Sequence, residues 1–121
     1  MKLSVGIITF NEERIIAKTI DAVKNIAGEI VIIDSNSTDK TVEIAKSKGA
    51  KVITQSWLGY GKQKNFMIDN CSGEWILSID ADEIISQELA NEISEEIKKE
   101  NNISEVYELR EKVVCFGKLI K

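Results

Sequence analysis

The segment Ile76-Leu-Ser-Ile-Asp-Ala-Asp-Glu83 closes an apolar run on two carboxylates separated by one small residue. In extended backbone, side chains two positions apart point the same way, which puts Asp80 and Asp82 on one side. Such a pair can hold a hard divalent cation, directly or through water, and leave coordination positions for phosphate oxygens. Magnesium and manganese both suit an all-oxygen donor set. The competing interpretation is an acidic turn that caps the next helix, a task open to Ser86 as well. The spacing alone decides little, because D-x-D is short and arises by chance. Its place directly after an apolar strand is what favours chemistry.

Three further segments carry polar groups at the ends of apolar runs. In Ile30-Val-Ile-Ile-Asp-Ser-Asn-Ser-Thr-Asp39, Asp34 closes a buried strand, where an unpaired carboxylate is costly. It must therefore meet solvent, a partner or a ligand, while Thr38 or Asp39 can cap the helix that follows. Thr9-Phe-Asn-Glu12 offers a hydroxyl, an amide and a carboxylate, with capping by Asn11 as the simple alternative. Gly59-Tyr-Gly-Lys-Gln-Lys-Asn65 matches neither of the glycine-rich phosphate loops, G-x-x-x-x-G-K-[ST] and G-x-G-x-x-G. By themselves Lys62 and Lys64 are solvated helix-face lysines; beside a diphosphate, either can neutralise charge.

The elements that must position these groups alternate in type. Leu3–Phe10, Glu29–Asp34, Ala50–Thr54 and Glu74–Asp80 are strands, the first, second and fourth nearly continuous apolar runs, as expected where both faces are covered. Between them lie helical patterns starting at Asn11, near Asp39 and through Asn65-Phe66-Ile68, and another over Gln87–Lys99. Glu105–Leu109 and Val113–Ile120 read as two further strands. The alternation predicts an α/β fold, a Rossmann-like open, mostly parallel sheet with helices on both faces. In such sheets ligands bind beyond the carboxyl ends of the strands. Those ends are Thr9 and Asn11, Asp34, Thr54, and Asp80 with Asp82.

Composition narrows the chemistry. The 121 residues include no histidine, which removes imidazole bases, Ser-His-Asp triads and histidine-ligated zinc. Cys71 and Cys115 fit no zinc or redox spacing and read as reduced thiols of a cytoplasmic protein. A net charge of −4 with interspersed signs argues against nucleic-acid binding. No apolar run approaches the roughly 20 residues of a membrane span.

Taken in order, Val5-Gly-Ile-Ile-Thr-Phe-Asn-Glu-Glu13, Glu29–Asp39, Gly61-Lys-Gln-Lys-Asn65 and Ser72–Glu83 resemble the motifs of family 2 glycosyltransferases with the type A nucleotide-sugar-binding fold. The fragments Ser56–Asn65 and Phe116–Ile120 are similar to the bacterial branch that builds lipopolysaccharide core. The resemblance implies a single domain over residues 1–121, with a donor-binding α/β core at 1–100 and the start of an acceptor-side region at 101–121, the rest of that C-terminal half missing. It implies that Thr9, Asn11 and Glu12 line the base and ribose pocket, that Asp34 binds the nucleoside, and that Lys64 faces the nucleotide. It assigns a divalent metal, Mn²⁺ or Mg²⁺, to Asp82, with Asp80 on the metal or the ribose. The implied reaction is metal-assisted inverting transfer from a nucleoside-diphosphate sugar to a hydroxyl of a glycan or glycolipid acceptor, in the cytoplasm or peripherally at the inner membrane. The implied catalytic base belongs to the missing half, and neither Glu105, Glu108 nor Glu111 is marked as one.

Three other classes are weighed. A donor-binding module without transfer activity shares every motif above. A phosphoacceptor receiver domain needs an aspartate closing its third strand, where Thr54-Gln55 stands here. A nucleotidyltransferase needs a glycine-rich basic loop after the first strand, which is absent. The apolar residues Val113, Val114, Phe116, Leu119 and Ile120 also suggest self-association through the C-terminal segment.

Overall fold

The computed structural model describes residues 3–99, 106–108 and 114–117. The elements in chain order are β1 (Leu3–Thr9), α1 (Ile16–Val23), β2 (Glu29–Asp34), α2 (Thr41–Ser47), β3 (Lys51–Thr54), α3 (Tyr60–Asp69), β4 (Trp75–Asp80), α4 (Gln87–Lys99), β5 (Val106–Glu108) and β6 (Val114–Gly117). They form one sheet in the order β3-β2-β1-β4-β6-β5. β1, β2, β3 and β4 are mutually parallel, whereas β6 runs antiparallel to β4 and β5 antiparallel to β6. The chain moves outward from β1 to β3, then crosses back to lay β4 on the other side of β1. Connections leave β1 and β4 in opposite directions, and this is the switch point at which open α/β sheets bind ligands.

Strand alternation divides the core in two. Leu3, Val5, Ile7, Ile32, Leu77 and Ile79 pack against Ile16, Ile20 and Val23 of α1, Ala45 of α2, and Leu89 and Ile93 of α4. On the opposite face Val31, Ile33 and Ile76 meet Met67 of α3 and Cys71. Met67 lies over Gly6, filling the space where a side chain on β1 would stand. The helices thus cover both faces, as the periodicity predicts. Cys71 is buried. No helix among the described residues is long and apolar enough to cross a membrane.

One local expectation changes. Asn11 does not cap α1: that helix begins at Ile16 without a side-chain cap, after a turn in which Ile15 and Ile16 N–H both donate to Glu12 C=O. Asn11 instead sits in the left-handed region at φ 53°. Cross-loop partners, invisible to a local pattern, claim its side chain. The two C-terminal strands expected from the sequence are present, β6 being paired with both β4 and β5. Val113, Leu119 and Ile120 lie outside the described residues.

The amino edge of the sheet is fastened by one carboxylate. Glu29 accepts hydrogen bonds from Ser4 Oγ at 2.5 Å, Ser72 N–H at 2.6 Å and Ser72 Oγ at 3.0 Å, while Gly73 N–H donates to Ser4 Oγ at 2.8 Å. β1, β2 and the turn before β4 are joined through it. Burial pushes its carboxyl upward, but the Ser4 and Ser72 hydrogen bonds and the nearby Lys51 outweigh that and leave it below the ordinary 4.5. A carboxyl depressed by folding contributes stability above its unfolded pKa and loses it as pH falls through the folded value. Glu29→Gln therefore lowers stability by about 1 kcal/mol at neutral pH, and denaturation midpoints of the two proteins converge as pH drops below 4.5.

Candidate nucleotide and metal site

The carboxyl edge is assembled around the end of β1. Register sets Thr9 beside Asp34, Asp34 beside Thr54, and Ile8 beside Asp80. Asp34 is 1% exposed, and its oxygens are engaged within the chain. Oδ1 accepts from Thr9 Oγ1 and from Ser37 Oγ, each at 2.6 Å, and Oδ2 accepts from Ser37 N–H at 2.8 Å. Ser37 Oγ in turn accepts from Asn11 N–H at 2.7 Å. Asn11 Oδ1 returns the link, accepting from Thr38 N–H at 2.8 Å and Asp39 N–H at 3.3 Å. One network thus joins Thr9, Asn11 and Asp34, three of the residues singled out in the sequence.

Glu12 and Glu13 extend it. Glu12 N–H donates to Thr41 Oγ1, Glu13 N–H to Asp39 Oδ2, and Lys40 N–H to Glu13 Oε1. Asp39 Oδ1 accepts from Thr41 N–H at 2.9 Å in a turn just ahead of α2, whose N-cap position is Lys40 and not the expected Thr38 or Asp39. Burial raises the Glu12 carboxyl above its ordinary value; a hydrogen bond from Phe10 N–H opposes this, and repulsion from Asp82 and Asp39 adds to it. Glu12 is therefore an electrostatic neighbour of Asp82, which ties the β1 loop to the acidic turn.

That turn differs from the extended segment expected. Asp80 ends β4, and Glu83 N–H donates to Asp80 C=O at 3.0 Å, closing a turn in which Ala81 is buried and Asp80 and Asp82 are exposed. The backbone bends because Ala81 packs into the core while its neighbours face solvent. Fully buried Thr19 of α1 fixes the bend by donating its hydroxyl to Ala81 C=O. Capping of α4 falls to Ser86, whose Oγ accepts from Leu89 N–H at 3.1 Å. The two aspartates are thus released from the capping role that competed with metal binding. Among the described residues neither carboxylate is held by a hydrogen bond or an ion pair, and no set of three or more carboxylate or thiolate ligands is gathered for a metal. A donor set of two carboxylates fits a cation that keeps water and takes its remaining ligands from a bound diphosphate.

On the α3 face a groove of about 370 Å³ is lined by Phe10, Ser35 and Trp57. Phe10 and Trp57 are both 56% exposed, unusual for aromatic side chains away from a binding surface. Tyr60 is exposed nearby in sequence, with the Lys64 ammonium 4.9 Å from its ring centroid. Lys64 makes no ion pair with Asp80 or Asp82 among the described residues. The structure therefore gathers six of the seven expected site residues along one edge and leaves Lys64 against an aromatic ring.

Residues 4–115 match the model of glycosyl transferase family 2. The chain belongs to that family. It is 55% identical over 92 residues to an uncharacterised glycosyltransferase of Rickettsia typhi, covering 76% of this chain and 32% of that protein. It is 38% identical over 94 residues to the lipopolysaccharide core biosynthesis glycosyltransferase LpsC of Rhizobium meliloti, covering 74% and 34% respectively. Among solved structures, glucosyl-3-phosphoglycerate synthase of Mycobacterium tuberculosis in complex with UDP superposes with a TM-score of 0.62 at 28% identity, over 69% of this chain and 34% of that one. The same enzyme with Mn²⁺, UDP and glucosyl-3-phosphoglycerate superposes at 0.60 and 27%, over 66% and 33%. The chain thus spans about a third of the length of these relatives.

Within this family 2 chain, Thr19 and Gln63 carry roles that no local pattern in the sequence marks. Thr19 sat among the apolar positions of α1, and nothing local marks its hydroxyl as the anchor of a turn 62 positions away. Thr19→Val keeps the volume but strands the Ala81 carbonyl, so it should cost about 1–2 kcal/mol in chemical denaturation. Glu12→Gln should act in the opposite direction. A carboxyl raised by folding destabilises the native state once pH exceeds its folded value. The substitution therefore raises the melting temperature at neutral pH, and the gain vanishes below pH 4.5 in a thermal-denaturation series.

Proposed function

We propose that this chain binds the nucleoside-diphosphate sugar donor of a cell-envelope glycosyltransferase and, with a divalent cation on Asp80 and Asp82, prepares it for inverting transfer to an acceptor hydroxyl. The observation that carries the reading is the solvent-facing aspartate pair at the switch point of the sheet, next to Glu12 and on the same edge as an aromatic groove. A flat base suits the Phe10–Trp57 groove, where ring faces supply area without requiring a fixed hydrogen-bond pattern. The diphosphate then reaches the acidic turn, where the cation, when bound, offsets the charge of the departing nucleoside diphosphate.

Within this scheme Thr9, Asn11 and Asp34 hold the loops that contact the nucleoside, and Asp34 acts through Ser37 and Thr9 more than by direct contact. Lys64 lends positive charge from α3. The bond from the anomeric carbon to the diphosphate breaks as the acceptor oxygen bonds to that carbon from the opposite side. The acceptor proton passes to a carboxylate base for which no residue here is assigned. Relatedness to LpsC supports a lipopolysaccharide or similar envelope glycan as acceptor, and the Mn²⁺–UDP complexes of the mycobacterial synthase support the metal and donor class. Charge balance adds an expectation: a cation beside Asp82 relieves the repulsion on Glu12, so metal binding strengthens as pH rises.

A thermal-shift screen of UDP-, GDP-, CMP-, dTDP- and ADP-sugars, with and without Mn²⁺, tests the proposal. One donor class should stabilise the chain only in the presence of metal, by about 2.7 kcal/mol at a hundredfold excess over its dissociation constant. Asp82→Ala should abolish that gain while changing unliganded stability by less than about 0.5 kcal/mol, as befits an exposed position. A gain that needs no metal, or that survives Asp82→Ala, would count against it.

A further inference from the structure

Gln63 of α3 is fully buried, yet it belongs to neither of the charged clusters above. Its carboxamide reaches three groups on two other segments. Oε1 accepts from Leu58 N–H at 3.1 Å, while Nε2 donates to Gln55 C=O at 3.2 Å and to Ser35 Oγ at 2.9 Å. The orientation of a side-chain amide is normally open to a flip. Here it is not, because a backbone N–H can only donate and a backbone C=O can only accept. Leu58 and Gln55 thus dictate which end of the amide is oxygen and which is nitrogen.

That assignment fixes the polarity of Ser35. Its hydroxyl oxygen accepts from Gln63, so the hydroxyl hydrogen is left to donate elsewhere. Ser35 lines the groove between Phe10 and Trp57, and its backbone is pinned by the bond from its N–H to Thr9 C=O at 3.0 Å. Gln63 also grips the segment that carries Trp57 on both sides, at Gln55 and at Leu58. Gly59, at φ 99°, then turns that segment into α3, and Gln63 N–H closes the turn on Gly59 C=O at 2.9 Å.

We infer that Gln63 is a specificity-determining positioning residue: it holds the Trp57 wall of the groove in place and makes Ser35 a hydrogen-bond donor toward the ligand. The groove then selects a flat heteroaromatic ring that presents an acceptor, a carbonyl oxygen or an unprotonated ring nitrogen, to Ser35. This rests on the nucleotide-binding reading above and adds the polarity of the hydrogen bond that the groove offers a base.

The test measures dissociation constants of UDP, CDP, GDP and ADP with Mn²⁺, using quenching of tryptophan emission. Trp57 is 56% exposed and Trp75 is 6%, so a ring entering the groove reports through Trp57, with Trp57→Phe as the control that abolishes the signal. Ser35→Ala should weaken the preferred nucleotide about 3- to 10-fold, the worth of one neutral hydrogen bond. Gln63→Glu keeps the shape but removes both donors. The new carboxylate then draws the Ser35 hydrogen away from the groove and turns lone pairs toward the ligand. The order of affinities among the four nucleotides should change, and adding Ser35→Ala to Gln63→Glu should cost little more. Equal weakening of all four by Gln63→Glu, or full additivity of the two substitutions, would mean a merely structural role and would overturn the inference. Should Gln63→Glu fail to fold, Ser35→Ala decides alone, since unchanged affinity there is incompatible with a donated hydrogen bond. Failure of the wild-type chain to bind any of the four overturns the nucleotide reading, and this inference with it.

Discussion

A carboxylate buried at the junction of two parallel strands is costly unless donors surround it. Asp34 meets that demand with Thr9 from β1 and with the backbone and hydroxyl of Ser37 from its own loop. Because the donors come from different segments, satisfying the charge also fixes the relative position of those segments. Asn11, in its left-handed conformation, continues the tie to Thr38 and Asp39. The rest of the carboxyl edge inherits its order from this one group. Loops that leave adjacent strands in different directions behave as a single rigid rim, and a rim of this kind presents side chains to a ligand with little further loss of entropy on binding.

The two faces of the sheet divide the work. On the side of α1, α2 and α4, polar bonds organise the loops, and Thr19 reaches across to hold the bend between Asp80 and Asp82. On the side of α3, an aromatic groove lies open, with Gln63 beneath it. The end of β1 serves both, since Thr9 joins the first network and Phe10, the next residue, lines the groove. A molecule with a flat apolar end and a multiply charged end suits such an edge, and a sugar nucleotide is of that kind.

The strands were legible because a parallel strand covered on both faces must be apolar almost throughout, and Val5–Ile8, Ile30–Ile33 and Trp75–Leu77 obey that rule. The gathering of polar groups at one edge was legible because each closes an apolar run, and parallel strands carry such ends to the same side of the sheet. What stayed hidden depends on long-range partners. Asn11 looks like a cap in one dimension, but the N–H groups that donate to its side chain lie 27 and 28 positions away. Gln63 sits between two lysines in a polar stretch, where nothing distinguishes a buried amide from a solvated one. The turn at Asp80–Glu83 reads as extended in the sequence because the burial of Ala81, which forces the bend, is a property of the packed core and not of the motif.

The proposed function requires a cation held by Asp80 and Asp82 against a diphosphate whose base lies in the Phe10–Trp57 groove. Anomalous scattering from crystals of the chain grown with manganese and a nucleoside diphosphate tests that arrangement directly. The predicted result is a manganese peak within coordination distance of an Asp82 oxygen and of both phosphates, with the base between the two aromatic rings. A manganese ion bound elsewhere, or a nucleotide seated with the acidic turn untouched, would contradict it.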